Sequence, residues 1–120
     1  MLVHARTDAR TPVSEAVPSL TVIVPCRNEI RNIANFLDGI LAMDYDRTAL
    51  EVVIVDGLSD DGTRDVISQC SQQYSFIRML DNPLKTAARA LNIGIRNSVS
   101  DIVVRLDVRC DYPRDYISRL

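Results

Sequence analysis

Four short apolar runs punctuate the chain, at 20–25, 51–55, 76–80 and 102–106. Each ends abruptly in turn-forming or charged residues, the pattern of a strand buried on both faces. Three stretches between them carry apolar residues at helical spacing. Ile30, Ile33, Leu37, Ile40 and Leu41 predict a helix over 30–43, with Asn28 as its N-cap and Glu29 facing the positive end of its dipole. Val66, Ile67 and Cys70 predict a second over 63–73, with Asp60 and Asp61 at its start. Ala88, Leu91, Ile95 and Val99 predict a third over 86–98, in which the alanines and Gly94 allow close approach to a sheet. A short helical start is expected near 114–120.

Alternating strands and helices of ten or so residues predict an α/β fold: a parallel, Rossmann-like sheet with flanking helices. In the corresponding strand order, the second and fourth strands flank the first. Open sheets of this kind bind ligands beyond the carboxyl ends of their strands. Two of those ends carry aspartates, in EVVIVDGLSDDGT (51–63) and DIVVRLDVRCDYP (101–113). Strands lie about 4.8 Å apart, so Asp56 and Asp107 start about 10 Å apart, too far to share one metal ion. Different tasks follow for the two. One can hold a base or ribose and the other a metal that carries phosphates, a span that a nucleotide fits. The plainer reading makes each a turn aspartate that caps its own loop. Arg27, Lys85 and Arg89 either cover a solvated face or neutralise phosphate.

Composition narrows the field. The 120 residues suffice for one small domain, and a net charge of −2 gives no electrostatic footprint for nucleic acid. Cys26, Cys70 and Cys110 lack CxxC spacing, so reduced structural thiols in a cytoplasmic protein are expected. His4 is the only histidine and lies in 1–18, which reads as a mobile tail. No GxGxxG, GxxxxGK[ST] or GxSxG is present, which removes dinucleotide, P-loop and hydrolase readings. A phosphoacceptor receiver would need an acidic pair after the first strand, where Cys26-Arg27-Asn28-Glu29 stands.

Four blocks in order, TVIVPCRNE (21–29), EVVIVDGLSDDGT (51–63), KTAARALNIGI (85–95) and DIVVRLDVR (101–109), resemble glycosyltransferase family 2, the inverting enzymes of GT-A fold. The ending LDVR-x-x-YP-x-DYI is similar to succinoglycan and exopolysaccharide transferases. The resemblance implies a nucleotide-sugar donor, UDP-linked, a divalent metal, Mg²⁺ or Mn²⁺, and a saccharide or lipid-linked acceptor. By position, it implies that Pro25 and Glu29 line the nucleoside pocket and that Asp56 binds the base. Lys85 or Arg89 would lie near the phosphates, and Asp107 would engage metal and diphosphate. Residues 19–120 would then be the N-terminal, nucleotide-sugar-binding half of a longer domain. The catalytic base, and any association with the inner face of the plasma membrane, would belong to the remainder. The chain departs from the family at Asp107-Val108-Arg109, which replaces DxD. Arg109 there either supplies part of the metal's charge at the diphosphate or weakens metal binding. A nucleotide-binding relative without chemistry, and a sugar nucleotidyltransferase, are the alternatives. The second would need a glycine- and basic-rich loop after the first strand, where only Arg27 and Arg31 stand.

Overall fold

The computed structural model describes residues 3–5 and 17–120. Its elements in chain order are β1 (Val3–Ala5), β2 (Leu20–Cys26), α1 (Ile33–Leu41), β3 (Leu50–Asp56), α2 (Thr63–Gln73), β4 (Ile77–Asp81), α3 (Ala87–Arg96) and β5 (Ile102–Arg105). They build a five-stranded sheet of order β1-β5-β2-β3-β4. The pairs β5–β2, β2–β3 and β3–β4 are parallel, so the two expected neighbours of the first predicted strand are the observed ones. The short β1 adds an antiparallel edge against β5. It falls inside the expected tail of 1–18; residues 1–2 and 6–16 of that tail lie outside the described residues.

Strand periodicity explains the two faces. Successive side chains alternate across a sheet. Val22, Val24, Val52, Ile54 and Val104 therefore meet α1, through Ile33, Phe36, Leu37 and Ile40, and α2, through Ile67. Ile23, Val53, Val55 and Val103 project to the other face, where α3 lies with Ala90. Both faces of β2 are covered, which accounts for its unbroken apolar run.

The helices depart from expectation at their ends. The first begins at Ile33, because Asn28 adopts φ 51° in a loop and cannot act as the N-cap. Ile30 is consequently exposed. The second helix occupies its expected span. The third stops at Arg96, so helical spacing no longer applies beyond it. Val99 is 95% exposed, and Ser98 turns inward in its place. The Ser98 hydroxyl donates to Thr21 Oγ1 (2.9 Å), and Thr21 donates on to Ser100 Oγ (2.6 Å), so the buried hydroxyls satisfy one another. Ala88 is also exposed; the inward face of α3 is Ala90 and Gly94. Residues 114–119 form successive turns, with the Arg119 amide bonded to Asp115 and the Leu120 amide to Ile117.

Gly94 is the contact that lets α3 lie close to β2. A Cβ there would come within 2.6 Å of Ile23 Cγ2 and 2.8 Å of its Cδ1, and Ile23 is fully buried. Alanine improves helix propensity by about 1 kcal/mol, whereas overpacking costs about 1–3 kcal/mol. Gly94→Ala is expected to destabilise the fold by about 1 kcal/mol on balance, read as a lower urea midpoint. Adding Ile23→Val, which removes one of the clashing carbons, should recover part of that loss.

Candidate functional site

Parallel strands present their carboxyl ends on one edge, and the ladders continue past the strands into the loops. The Leu106 amide bonds to Ile23 O (3.1 Å), Gly57 to Cys26 O (2.8 Å) and Asn82 to Asp56 O (2.8 Å). The loops after β2 and β3 are then stitched together. Asn28 N donates to Ser59 Oγ (2.7 Å), Asp60 N to Asn28 Oδ1 (2.9 Å) and Glu29 N to Thr63 Oγ1 (2.9 Å). Asp61 ties the turn before α1 to the start of α2, accepting from Ile30 N (3.2 Å) and from Thr63 N (3.1 Å). The Thr63 hydroxyl holds the Asp61 carboxyl below the usual carboxylate range. Among the described residues, the three non-glycine residues with positive φ, Asn28, Leu58 and Lys85, lie in the loops after β2, β3 and β4 respectively. Such conformations are costly and cluster where a site is being shaped.

Beyond β2 and β5 opens a cleft of about 280 Å³. Pro25, Cys26, Arg27 and Glu29 form one wall. Asn82, Lys85 and the first turn of α3 form a second, and Arg105, Asp107, Val108 and Arg109 the third. Five predicted site residues meet here: Pro25, Glu29, Lys85, Asp107 and Arg109. The first turn of α3 brings the positive end of its dipole, which favours anions. Lys85 sits at φ 65°, its amide bonded to Asn82 O, while the buried Asn82 donates to Thr86 O (2.8 Å). Arg109 Nε bonds both oxygens of Glu29 (2.9 and 3.1 Å). Arg105 Nε bonds Asp107 Oδ1 (3.0 Å), and the Asp107 amide donates to Tyr112 Oη (3.0 Å). Burial, and the neighbouring Cys110, push the Tyr112 hydroxyl up to about 12.

Two predicted residues stand apart from the cleft lining. Arg89 is exposed on α3, its amide bonded to the Thr86 hydroxyl that caps the helix. Asp56 has no exposed surface, and its oxygens serve the loop. Oδ1 accepts from Ser59 Oγ (2.6 Å), and Oδ2 from Ser59 N (2.8 Å) and Arg64 (2.9 Å). Arg64 also bridges to Asp81 (2.7 Å), which ties the ends of β3 and β4 together. Sequence reasoning passed over Arg64, Asn82, Arg105 and Tyr112. Arg105 and Tyr112 had a usable signal, since both flank the motif aspartate in the chain.

The family Glycosyl transferase family 2 matches residues 21–120, which contain all three walls of the cleft. The chain belongs to that family.

Within the family, it is 30% identical over 108 residues to glycosyltransferase AglE of Haloferax volcanii, covering 89% of this chain and 36% of AglE. It is 32% identical over 104 residues to the succinoglycan biosynthesis protein ExoA of Rhizobium meliloti, covering 85% and 31%. That is the kind of relative expected from the ending at 106–117. Among solved structures, the Pyrobaculum calidifontis mannosyltransferase PcManGT, in complex with GDP-Man and Mn²⁺, superposes with TM-score 0.75 at 33% identity, over 84% of this chain and 32% of that one. S. aureus TarS matches at 19% identity and TM-score 0.76, over 84% of this chain and 30% of TarS, and shares the fold. The expected GT-A α/β architecture is therefore present. The chain spans about a third of the length of these relatives. Among the described residues, no helix is long and apolar enough to cross a membrane.

Asp56 and Asp107 should separate by their effect on stability. Truncating a fully buried, three-times hydrogen-bonded carboxylate strands its partners, so Asp56→Ala should cost about 2 kcal/mol. Asp107 is 45% exposed, and Asp107→Ala should cost less than about 1 kcal/mol; urea unfolding of the two variants checks the contrast. A second expectation concerns the thiols. Burial and the Asp56 carboxylate push Cys26 up to about 12, so it stays protonated and unreactive at neutral pH. Iodoacetamide followed by mass spectrometry should label exposed Cys110 and spare Cys26 until the chain is unfolded.

Proposed function

We propose that this chain is the donor-binding part of an inverting glycosyltransferase that uses a nucleotide sugar and acts on a saccharide or lipid-linked acceptor in polysaccharide synthesis. The observation that carries this reading is the cleft. It lies at the carboxyl ends of the strands and joins the motif aspartate to four cationic side chains and a helix N-terminus. A diphosphate is the group such a surface suits. Relatives with the same fold support the reading: one is a complex with GDP-Man and Mn²⁺, another with UDP-GlcNAc.

In this reading, Lys85, Arg105 and the first turn of α3 receive the phosphates, and Arg27 screens the outer edge of the cleft. Pro25 and Glu29 form the wall for the nucleoside. Asp56 acts on the base side chiefly by holding the loop 57–62 in place, and Arg89 contributes only long-range charge. The residues fit a divalent metal of a particular kind. Among the described residues, no group of three or more His, Cys, Asp or Glu gathers, so a cage made wholly of protein is not what the chain supplies. A single half-exposed carboxylate, Asp107, suits Mg²⁺ or Mn²⁺ whose other ligands are phosphate oxygens and water. Such an ion supplies Lewis-acid stabilisation of the departing diphosphate.

Transfer needs an acceptor hydroxyl to attack the anomeric carbon while a base takes its proton. Both carboxylates of the cleft are bound to arginines, and Cys26 stays protonated. We therefore place the general base outside the cleft residues, in the acceptor-binding part of the full-length enzyme. What this chain contributes is stabilisation of the negative charge that develops on the leaving group.

Calorimetric titration of UDP and of GDP with Mn²⁺ tests the reading. One of the two should bind, and Lys85→Ala should weaken it by about tenfold, the usual worth of a charge-assisted contact. Unchanged affinity in Lys85→Ala, with the fold intact by circular dichroism, would sink the assignment of this cleft to the phosphates.

A further inference from the structure

The end of β5 and the loop after it set two arginines, Arg105 and Arg109, around Asp107, and Arg109 stands where the family pattern named above has a second carboxylate. Arg109, the residue at that position, is 75% exposed, whereas its partner Glu29 is 13% exposed and sits in the opposite wall. The ion pair therefore bridges the cleft from the β5 side to the β2 side. Its guanidinium end is open to solvent, which screens the pair toward the worth of a surface ion pair, about fivefold in an equilibrium constant. A bidentate guanidinium–phosphate contact is worth about tenfold or more. An arriving phosphate outbids the carboxylate.

The charges of the cleft point the same way. Arg27, Lys85, Arg105 and Arg109 face Glu29 and Asp107, four cations against two carboxylates. The diphosphate of a nucleotide sugar carries one negative charge per phosphate, so the formal excess of two positive charges already matches it. A DxD sequence at 107–109 would leave the same cleft neutral, and the positive charge would then have to come from the metal.

We infer that Arg109 is a diphosphate ligand held in reserve by Glu29, and that its exchange from Glu29 to the phosphates makes donor binding by this protein only partly dependent on a divalent cation. The inference rests on the nucleotide-sugar reading of the cleft. It assigns to Arg109 a binding role, and to Glu29 the role of a counter-ion released when the donor arrives.

Titrations of UDP and GDP in EDTA and in Mn²⁺ test it, using the wild-type chain, Arg109→Ala and Arg109→Asp. The nucleotide that binds should do so in EDTA within about tenfold of its affinity in Mn²⁺, as expected when the guanidinium contact rivals the ion in worth. Arg109→Ala should lose more affinity in EDTA than in Mn²⁺. Arg109→Asp, which restores two carboxylates, should bind only with Mn²⁺. The exposure of Arg109 makes both variants compatible with folding, which circular dichroism checks. Wild-type binding that requires Mn²⁺, or losses in Arg109→Ala that are absent or equal in the two buffers, would overturn the inference and leave the nucleotide reading intact. Absence of binding by either nucleotide in both buffers would overturn the two together.

Discussion

The backbone ladder of β2 is the constraint on which the rest depends. This strand pairs in parallel with β3 on one side and β5 on the other, and both of its faces are covered by helices. Parallel pairing sends every carboxyl end to the same edge. Hydrogen bonds that run past the strand ends, from Leu106, Gly57 and Asn82, then fix where each loop begins. The side chains of the cleft have little freedom left in their Cα positions. Their chemistry is set by which residue stands at each exit.

Charge pairing sorts the acidic residues into two classes. Asp56 is buried, and its partners Arg64 and Ser59 belong to the same loop-and-helix unit. Burying such a charge is tolerated only because every contact is satisfied. Asp107 and Glu29 face the cleft, each paired with an arginine, and in each pair one side chain is open to solvent: Asp107 itself in the first and Arg109 in the second. The first class holds the loops. The second is poised for exchange, since solvent weakens each pair enough for a ligand to compete.

In the proposed reading, the same division gives a chain about a third the length of its relatives the leaving-group side of the chemistry. Leaving-group stabilisation needs cations and dipoles that are already in place. The cations of the cleft stand at the β2, β4 and β5 exits, beside the start of α3, all within 21–120, the residues that match the family. Activation of an acceptor needs a carboxylate free to take a proton, and the cleft commits both of its own to arginines.

Much of the fold was legible in the chain itself. A parallel strand covered on both faces is apolar at most positions, so the four runs marked the four parallel strands, and helical spacing between them marked the crossovers. Asp107, Lys85, Glu29, Pro25 and Arg109, which line one cleft, were legible as candidates because each stands at a strand exit or in a block of the family pattern. The helix ends were not, because caps depend on backbone angles: Asn28 looks like an N-cap but sits at positive φ, and Val99 continues a spacing that the helix abandons at Arg96. Nor could sequence separate Asp56 from Asp107. Each closes an apolar run and is followed by turn residues, and only packing shows that one is sealed beneath Ser59 and Arg64 while the other stays open. The bridge from Arg109 to Glu29 was equally hidden. It joins residues eighty positions apart, and which charges meet across such a span is decided by strand order alone.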